Sequence, residues 1–413
     1  MARARQVLFR IATPVLICLA VEGSLRVFDA QARIGIAERR TLAAYQGVPW
    51  IDQYLKDLYD CERQTARAHE PRYARYVLQD INEDCTTPTV NYAHRVRRTW
   101  NPDASTRPGA TVYEVGMFGG STMEGQGAID DETIPSQFSK LANAGGGPVV
   151  YHVTNYGVGG YTFTQSVYKL LELLREGRHF DLVIFYDGAN DIDYAYDFGE
   201  AGALAEEDLV RTRLEGSPWA KMTQFGKEQL NACVLCFAVS VVARHTPFLE
   251  DRLTPWLVRV RDAIHFKKGK GEDTDEEPLA EEIAANYAQS HALLERIAAA
   301  YQLLYLDAWQ PSLMYDSQYA PGEAMLAKMD PRLTDQKLRN LYALSHTDIV
   351  AKHLNGFDDL SQALAGRTRA CYLDAVHLCG ACNGVVASKL HALFAAGEIP
   401  RAASARPPAA PGS

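Results

Sequence analysis

The sequence predicts an α/β protein built around a parallel sheet, and two features of its pattern indicate this class. Short β-rich runs that mostly end at glycine or a small polar residue recur from residue 111 onward, and helical segments lie between them. Strands that alternate with helices form βαβ crossovers, which place the strands parallel in one sheet. With 413 residues, of which 47% are hydrophobic and 23% charged, the chain has the composition of a globular protein.

Four segments are predicted as strands of this sheet. They are TVYEVGMFG at 111–119, VVYHVTNYG at 149–157, DLVIFYDG at 181–188 and LLYLDAW at 303–309. One helix is predicted in TQSVYKLLELLREG, between the second and third strands, and another in LAEEIAANYAQSHALLERIAAAYQ, before the fourth. The main domain is therefore assigned to residues 106–395.

The segments around and within this domain are assigned by composition. Residues 33–105 mix polar helical-looking stretches with Pro- and Thr-containing sequence, and we expect an N-terminal extension that packs on the main domain. Residues from about 193 to 285 break the strand-helix rhythm and form a predicted helical insertion, whose charged run KKGKGEDTDEEP has the mixed signs typical of a solvated loop. Residues 396–413, which end in ARPPAAPGS, are predicted to be disordered.

Residues 1–32 have the layout of an export signal. Arg3 and Arg5 precede an apolar segment from Ile11 to Val21, which is shorter than the roughly 20 residues that cross a bilayer comfortably. The A-x-A cleavage candidate at 30–32 lies far beyond the apolar core. We favour an uncleaved or inefficiently cleaved signal anchor over a cleaved signal peptide, with a cytosolic amphipathic helix as the remaining alternative. The protein is thus expected outside the cytoplasm, secreted or held at the membrane by this helix, on the periplasmic side in a bacterium.

The charge balance disfavours nucleic acid as a partner. The formal net charge is −9, whereas binding to a phosphate backbone usually rests on clustered Lys and Arg. No dinucleotide fingerprint or phosphate loop stands in the right context, so no organic cofactor is expected.

Eight cysteines are compatible with export, because cysteines can pair outside the cytoplasm. A bridge from Cys61 to Cys85 is the simplest pairing, and the connectivity of the others stays open. A bridge between Cys379 and Cys382, or from either one to Cys371, would make the neighbouring loop rigid. The C-x-x-C pairs at 233–236 and 379–382 are too far apart for a zinc ribbon, so no metal is expected.

Polar residues follow the predicted strands at the edge of the sheet where ligands bind. Ser121 follows the first strand, a glycine-rich turn follows the second, and Asn190 follows the third; near the C-terminus Asp374 lies three residues before His377. A serine nucleophile needs an imidazole base, and the imidazole needs a carboxylate that fixes its tautomer. Glycine-rich backbone and an asparagine amide supply donors for an oxyanion. The pattern therefore predicts acyl transfer.

The four blocks FGGSTMEG, NYGVGGYT, YDGAND and DAVH, taken in order, resemble the signature of the SGNH (GDSL-like) hydrolase superfamily over residues 111 to about 392. The resemblance implies a flavodoxin-like three-layer α/β/α sandwich. It also implies that Ser121 is the nucleophile and an oxyanion donor through its N–H. Gly160 would be the second backbone donor and Asn190 the side-chain donor, with Asp374 and His377 completing a triad.

Two points of the resemblance are open. Gly157 or Gly159 takes the role of Gly160 if the alignment is displaced. The first block of the family often reads Gly-Asp-Ser, whereas Gly120 stands at the Asp position here. That Asp is not a triad member, so the departure concerns the hydrogen bonds around the serine more than the chemistry.

The resemblance implies a carboxylic ester hydrolase, and export suggests acyl esters, acetyl among them, of an extracytoplasmic carbohydrate or lipid. Deacetylation of a cell-surface polysaccharide is the narrowest hypothesis. Tyr194, Tyr196 and Phe198, just beyond Asn190, are candidates for a substrate wall, with core packing as the alternative. Two other functions stay open: an O-acyltransferase that modifies cell-surface polysaccharide, and a non-catalytic glycan-binding protein of the same fold.

Overall fold

The computed structural model describes a defined set of residues: 17, 20–24, 30–64, 72–81, 84–103, 107–205, 207–217, 274–316 and 319–397. Most of the predicted signal anchor, most of the predicted insertion with Cys233 and Cys236, and nearly all of the C-terminal tail lie outside these ranges. Within the described ranges, every helix is too short or too polar to cross a bilayer.

The chain divides into two compact units. One comprises Met1–Thr41 and Glu206–Lys268, and the other comprises Leu42–Ala205 and Gly269–Ser413. Among the described residues the strands are β1 (Arg72–Ala74), β2 (Leu78–Asp80), β3 (Cys85–Thr86), β4 (Asn91–Ala93), β5 (Val96–Arg97), β6 (Thr111–Gly119), β7 (Val149–Asn155), β8 (Leu182–Asp187), β9 (Leu304–Trp309) and β10 (Phe357–Asp359). The α-helices are α1 (Ala30–Arg40), α2 (Ile51–Gln64), α3 (Ser121–Glu124), α4 (Ile134–Asn143), α5 (Phe163–Arg175), α6 (Ala189–Phe198), α7 (Glu207–Glu215), α8 (Glu276–Tyr301), α9 (Leu326–Met329), α10 (Gln336–Val350) and α11 (Gly380–Ala396).

The second unit is built on an eight-stranded sheet with the order β10-β9-β8-β6-β7-β5-β4-β3. The first five strands in this order are mutually parallel, and β5, β4 and β3 continue the sheet antiparallel. β1 and β2 form a separate antiparallel hairpin. The four strands predicted from the sequence are confirmed as β6 to β9. The remaining strands were not predicted, because runs of two or three residues carry no alternation pattern.

The parallel strands follow the order 2-1-3-4-5 when numbered along the chain, which is the flavodoxin-like order. The chain moves from β6 to β7 in one direction and then returns past β6 to β8. Right-handed crossovers therefore place α4 on one face of the sheet and α5 on the other. α11 packs beside α4, and α8 packs on α5 and α10. The topology thus makes the carboxyl ends of β6 and β8 the place where a ligand would bind.

Local sequence explains how these ends are formed. β8 is buried at every residue, as expected for a near-continuous apolar run at the centre of a parallel sheet. α5 begins directly after the glycine-rich turn because Thr162 and Gln165 form a capping box. The capping box therefore fixes the point at which this turn joins α5.

Residues N-terminal to β6 contact the segment that follows α3. The hydroxyl of Tyr45 donates to the Gly127 carbonyl at 2.9 Å, and the Gly127 N–H donates to the hydroxyl of Tyr54 at 2.8 Å. The predicted Cys61–Cys85 disulfide is confirmed and joins α2 to β3, with a Cα–Cα distance of 5.7 Å. These contacts bring the N-terminal residues close to the carboxyl end of β6.

Candidate active site

Ser121 stands where β6 ends, at the start of the one-turn helix α3. Its Oγ lies 2.7 Å from Nε2 of His377. The other ring nitrogen of His377, Nδ1, lies 2.6 Å from Oδ2 of Asp374. An imidazole in this position can accept the serine proton while the carboxylate stabilises the imidazolium that forms. The structure thus brings Ser121 together with Asp374 and His377, which lie more than 250 positions later in the chain.

Asp374 also organises the turn that carries His377. Its Oδ1 accepts the N–H groups of Val376 at 2.9 Å and of His377 at 2.8 Å. Desolvation alone would raise the pKa of Asp374, but the neighbouring His377 ring and the N–H donors outweigh it and hold the pKa well below its ordinary value. Asp374 is therefore an ionised acceptor at neutral pH, as an orienting carboxylate requires.

A disulfide closes the loop around His377. Cys371 is bonded to Cys382, with a Cα–Cα distance of 5.6 Å, and Cys379 between them is a buried free thiol. A bridge among these three cysteines is thus present as Cys371–Cys382, and it spans the loop that carries Asp374 and His377. Within the loop, the N–H of Leu373 donates to the carbonyl of His377 at 2.9 Å.

A buried ion pair holds the first residues of the same loop. Glu323 accepts the N–H groups of Cys371 at 2.8 Å and Tyr372 at 3.1 Å. Arg367 pairs with Glu323 and also with Asp316, at 2.7 Å from its Oδ2. No sequence signal pointed to these residues, because Asp316 and Glu323 lie about 50 positions before the loop and none of the three charged residues belongs to a motif.

The three predicted oxyanion donors are the N–H groups of Ser121 and Gly160 and the side-chain amide of Asn190. The side-chain nitrogen of Asn190 donates to the Tyr161 carbonyl at 2.8 Å and lies 2.6 Å from the position that a Cβ on Gly120 would occupy. In the part of the chain that the structure describes, the N–H groups of Ser121 and Gly160 have no hydrogen-bond partner. Free N–H groups of this kind are the donors that an oxyanion would use.

Asn155, at the end of β7, ties the glycine-rich turn to α3. Its side-chain nitrogen donates to the carbonyls of Met123 and Glu124, each at 3.1 Å, and its oxygen accepts the N–H of Gly157 at 2.9 Å. A Cβ on Gly159 would lie 4.0 Å from Cβ of Ser121. The second sequence block therefore lines one side of the serine.

Arg97 clamps the segment after α3 from the antiparallel edge of the sheet. It is 1% exposed, and its guanidinium donates to the carbonyls of Gly125 and Ala128, each at 2.6 Å, and to Asp130 at 3.1 Å. No motif in the sequence pointed to Arg97, although an arginine in a short strand next to β7 is a candidate for such a role once the sheet order is known. It fixes the backbone that leads away from Ser121.

The predicted aromatic wall divides into two faces of α6. Residues two positions apart on a helix point in nearly opposite directions, so Tyr196 cannot share a face with Tyr194 and Phe198. Tyr196 is buried, and its hydroxyl donates to Asp335 at 2.7 Å, so it packs in the core instead of lining the site. The hydroxyl of Tyr194 lies 2.9 Å from the position of a Cβ on Gly160. Tyr194 therefore remains beside the site, and Phe198 is half-buried.

The described residues contain no group of three His, Cys, Asp or Glu side chains that could hold a metal ion.

Two buried carboxyl groups lie at the carboxyl end of β8: Asp187 is its last residue, and Asp191 lies in the first turn of α6. Burial raises the pKa of Asp191 to about 7, and burial together with the neighbouring Asp191 and Asp307 raises the pKa of Asp187 well above its ordinary value. Asp191 accepts the N–H of Phe163 at 3.1 Å and so joins α6 to the start of α5.

No protein-family model matches the chain, and no curated protein matches it. Solved structures that it resembles include a member of the lipolytic protein G-D-S-L family from Veillonella parvula, with 12% identity and a TM-score of 0.34 over 68% of this chain and 98% of that one. Another is a lipase from a goat rumen metagenome, with 13% identity and a TM-score of 0.36 over 68% and 96%.

A putative arylesterase from Agrobacterium tumefaciens matches with 16% identity and a TM-score of 0.28 over 69% of this chain and 99% of that one. At these identities and TM-scores, the likenesses bear on neither the activity nor the substrate of this chain. The chain resembles the SGNH (GDSL-like) hydrolases in its four sequence blocks, and a lipolytic G-D-S-L protein is among the solved structures that it matches.

Proposed function

We propose that the chain is a serine esterase of SGNH type that works through an acyl-enzyme. One observation carries the proposal: Nε2 of His377 lies 2.7 Å from Oγ of Ser121 while Nδ1 lies 2.6 Å from Asp374. His377 takes the serine proton as Oγ attacks the ester carbonyl carbon, and then gives this proton to the departing alcohol. Water, activated by the same imidazole, attacks the acyl-serine and releases the acid.

The oxyanion of each tetrahedral intermediate needs donors that are in place before the reaction. The N–H groups of Ser121 and Gly160 and the amide of Asn190 are proposed for this role. Removal of one such donor typically costs about 2.7 to 4 kcal/mol of barrier. The free N–H groups of the first two residues support the assignment.

The proposed substrates are acyl esters of an extracytoplasmic carbohydrate or lipid, with acetyl esters of a cell-surface polysaccharide as the narrowest case. The export layout of residues 1–32 supports this location. Two disulfides in the described part of the chain support it too, because disulfides persist in oxidising compartments. The proposal includes attachment to the membrane if residues 1–32 stay uncleaved.

The test is hydrolysis of an aryl ester series of increasing acyl length by the full chain and by its Ser121→Ala variant, together with mass spectrometry after treatment with a fluorophosphonate. We expect turnover that is fastest for acetyl, and a single adduct on Ser121. The Ser121→Ala variant should lose about 10³-fold or more in kcat and should form no adduct.

Thr122→Val serves as the matched control, because it removes the adjacent hydroxyl, which contacts Gln310 at 3.2 Å, and leaves Ser121 intact. Equal turnover in wild type and Ser121→Ala would contradict the proposal, as would a folded wild type with neither turnover nor adduct. A parallel reaction with a glycan acceptor distinguishes hydrolysis from acyl transfer, since a transferase gives acylated glycan faster than free acid.

A further inference from the structure

The β1–β2 hairpin docks on the glycine-rich turn that follows β7. Val77, in its bend, packs with Val158 and Tyr161 in one buried cluster. Two hydrogen bonds fasten the hairpin to α5: Gln165 donates to the Val77 carbonyl at 2.6 Å, and the buried Lys169 ammonium lies 2.6 Å from Oδ2 of Asp80. The hairpin is therefore a fixed part of this end of the sheet.

Gln79 is the residue of this hairpin that reaches the proposed oxyanion site. It is 5% exposed, and its side-chain nitrogen donates to the carbonyl of Gly159 at 2.9 Å. Its own carbonyl accepts the hydroxyl of Tyr161 at 2.6 Å. One residue thus binds the segment 159–161 at two points.

The hydrogen bond from Gln79 to the Gly159 carbonyl constrains the orientation of the whole peptide between Gly159 and Gly160. The Gly159 carbonyl and the Gly160 N–H belong to the same planar trans peptide, so they point in opposite directions. A donor that holds the carbonyl on one side therefore sets the direction of the N–H on the other side, away from Gln79. Gly160 has a φ of +79°, which glycine adopts readily. Two flanking glycines leave this peptide few steric barriers to rotation, so the contact with Gln79 contributes to the direction of its N–H.

We propose that Gln79 is a positioning residue that aims the Gly160 N–H at the oxyanion. This inference rests on the proposed ester hydrolysis and adds to it a residue from outside the four sequence blocks. Gln79 acts through the Gly159–Gly160 peptide and not on the reacting atoms. Removal of the Gln79 amide should therefore destabilise the transition state and leave binding of the ester nearly unchanged.

The test is steady-state hydrolysis of an aryl acetate by wild type, Gln79→Met and Gln79→Glu over a range of pH. Methionine keeps the length of the side chain and removes the donor. We expect kcat to fall about 10- to 100-fold with KM nearly unchanged, because a misplaced group weakens only the transition state. Glutamate regains a donor when protonated, so the ratio of its kcat to the wild-type kcat should rise as the pH falls.

Lys169→Met is the matched control, since it weakens the attachment of the hairpin to α5 and does not touch the Gly159–Gly160 peptide. It should keep kcat close to wild type while lowering the unfolding temperature at least as much as Gln79→Met. The inference is overturned if Gln79→Met keeps the wild-type kcat, if its loss lies in KM, or if Lys169→Met loses as much kcat. Absence of Ser121-dependent turnover in wild type is a different result, which contradicts the proposed function itself.

Discussion

The side-chain nitrogen of Asn190 lies 2.6 Å from the position that a Cβ on Gly120 would occupy. Non-bonded atoms do not approach so closely, so any side chain at position 120 would displace the amide or shift the backbone. The same amide donates to the Tyr161 carbonyl at 2.8 Å. This relationship gives a physical reason for a glycine at position 120: the amide of Asn190 occupies the space where a side chain would begin.

Gly120→Ala is therefore expected to lower kcat by about 10- to 100-fold, because displacement of Asn190 misplaces an oxyanion donor. Steady-state kinetics on an aryl acetate measures the loss. The same change made in an Asn190→Ala background should cost little, since the displaced group is already absent. Independent, additive losses in the double variant would show that Gly120 acts by another route.

Asp374→Asn should lower kcat by about 10³- to 10⁴-fold with the fold intact. An amide cannot stabilise the imidazolium of His377 and can hold the ring in the wrong tautomer. Asp330→Asn is a suitable control, because Asp330 is a carboxylate close enough to Asp374 to be affected by its charge, and its Oδ1 accepts the N–H of Arg332 at 3.0 Å. Retention of more than a tenth of the wild-type kcat in Asp374→Asn would argue against the proposed role.

Loss of either disulfide should lower stability, but only loss of the Cys371–Cys382 disulfide should also lower kcat. They close loops of 24 and 11 residues, for which chain entropy predicts about 3 kcal/mol of stabilisation each. Serine replacement of both Cys371 and Cys382 should lower the free energy of unfolding and also kcat, because this bridge closes the His377 loop. Replacement of Cys61 and Cys85 should lower stability by a similar amount and leave kcat nearly unchanged. Denaturant unfolding and kinetics of both variants check this, and equal losses of kcat would contradict it.

Asp191 should make the fold less stable as the pH rises. Burial raises its pKa from 3.8 to about 7, so the folded state binds the proton more tightly than the unfolded chain. The stabilisation is complete below about pH 4 and is lost as the pH rises towards 7. Asp191→Asn keeps an oxygen for the Phe163 N–H and has no charge to bury. Its unfolding temperature relative to wild type should therefore increase between pH 4 and 7 and then level off.

Thermal unfolding of Asp191→Asn and wild type at several pH values measures this difference. A constant difference between Asp191→Asn and wild type over this range would mean that Asp191 stays charged in the folded protein.

The sequence indicated the candidate functional residues at the strand ends but not the contacts that hold them in place. Four β-rich runs were long enough to show their pattern, and Ser121, Asn190, Asp374 and His377 lie in short blocks with a fixed order. Tyr196 was a candidate for the substrate wall with core packing as the alternative, and only the structure shows that its side of α6 meets the core.

The sequence by itself determined four of the five parallel strands and the order of the polar residues that follow them, since local pattern carries these features, and it suggested Cys61 with Cys85 as the simplest pairing. Only the tertiary structure decided that Arg97 and Gln79 hold the backbone around Ser121, with Gln79 lying 80 positions from its partner Gly159. Contacts over such separations depend on the order of strands in the sheet and on the packing of a short hairpin. Neither leaves a periodic signal in the chain, because an isolated pair of two- or three-residue strands becomes stable only when it packs on the rest of the fold.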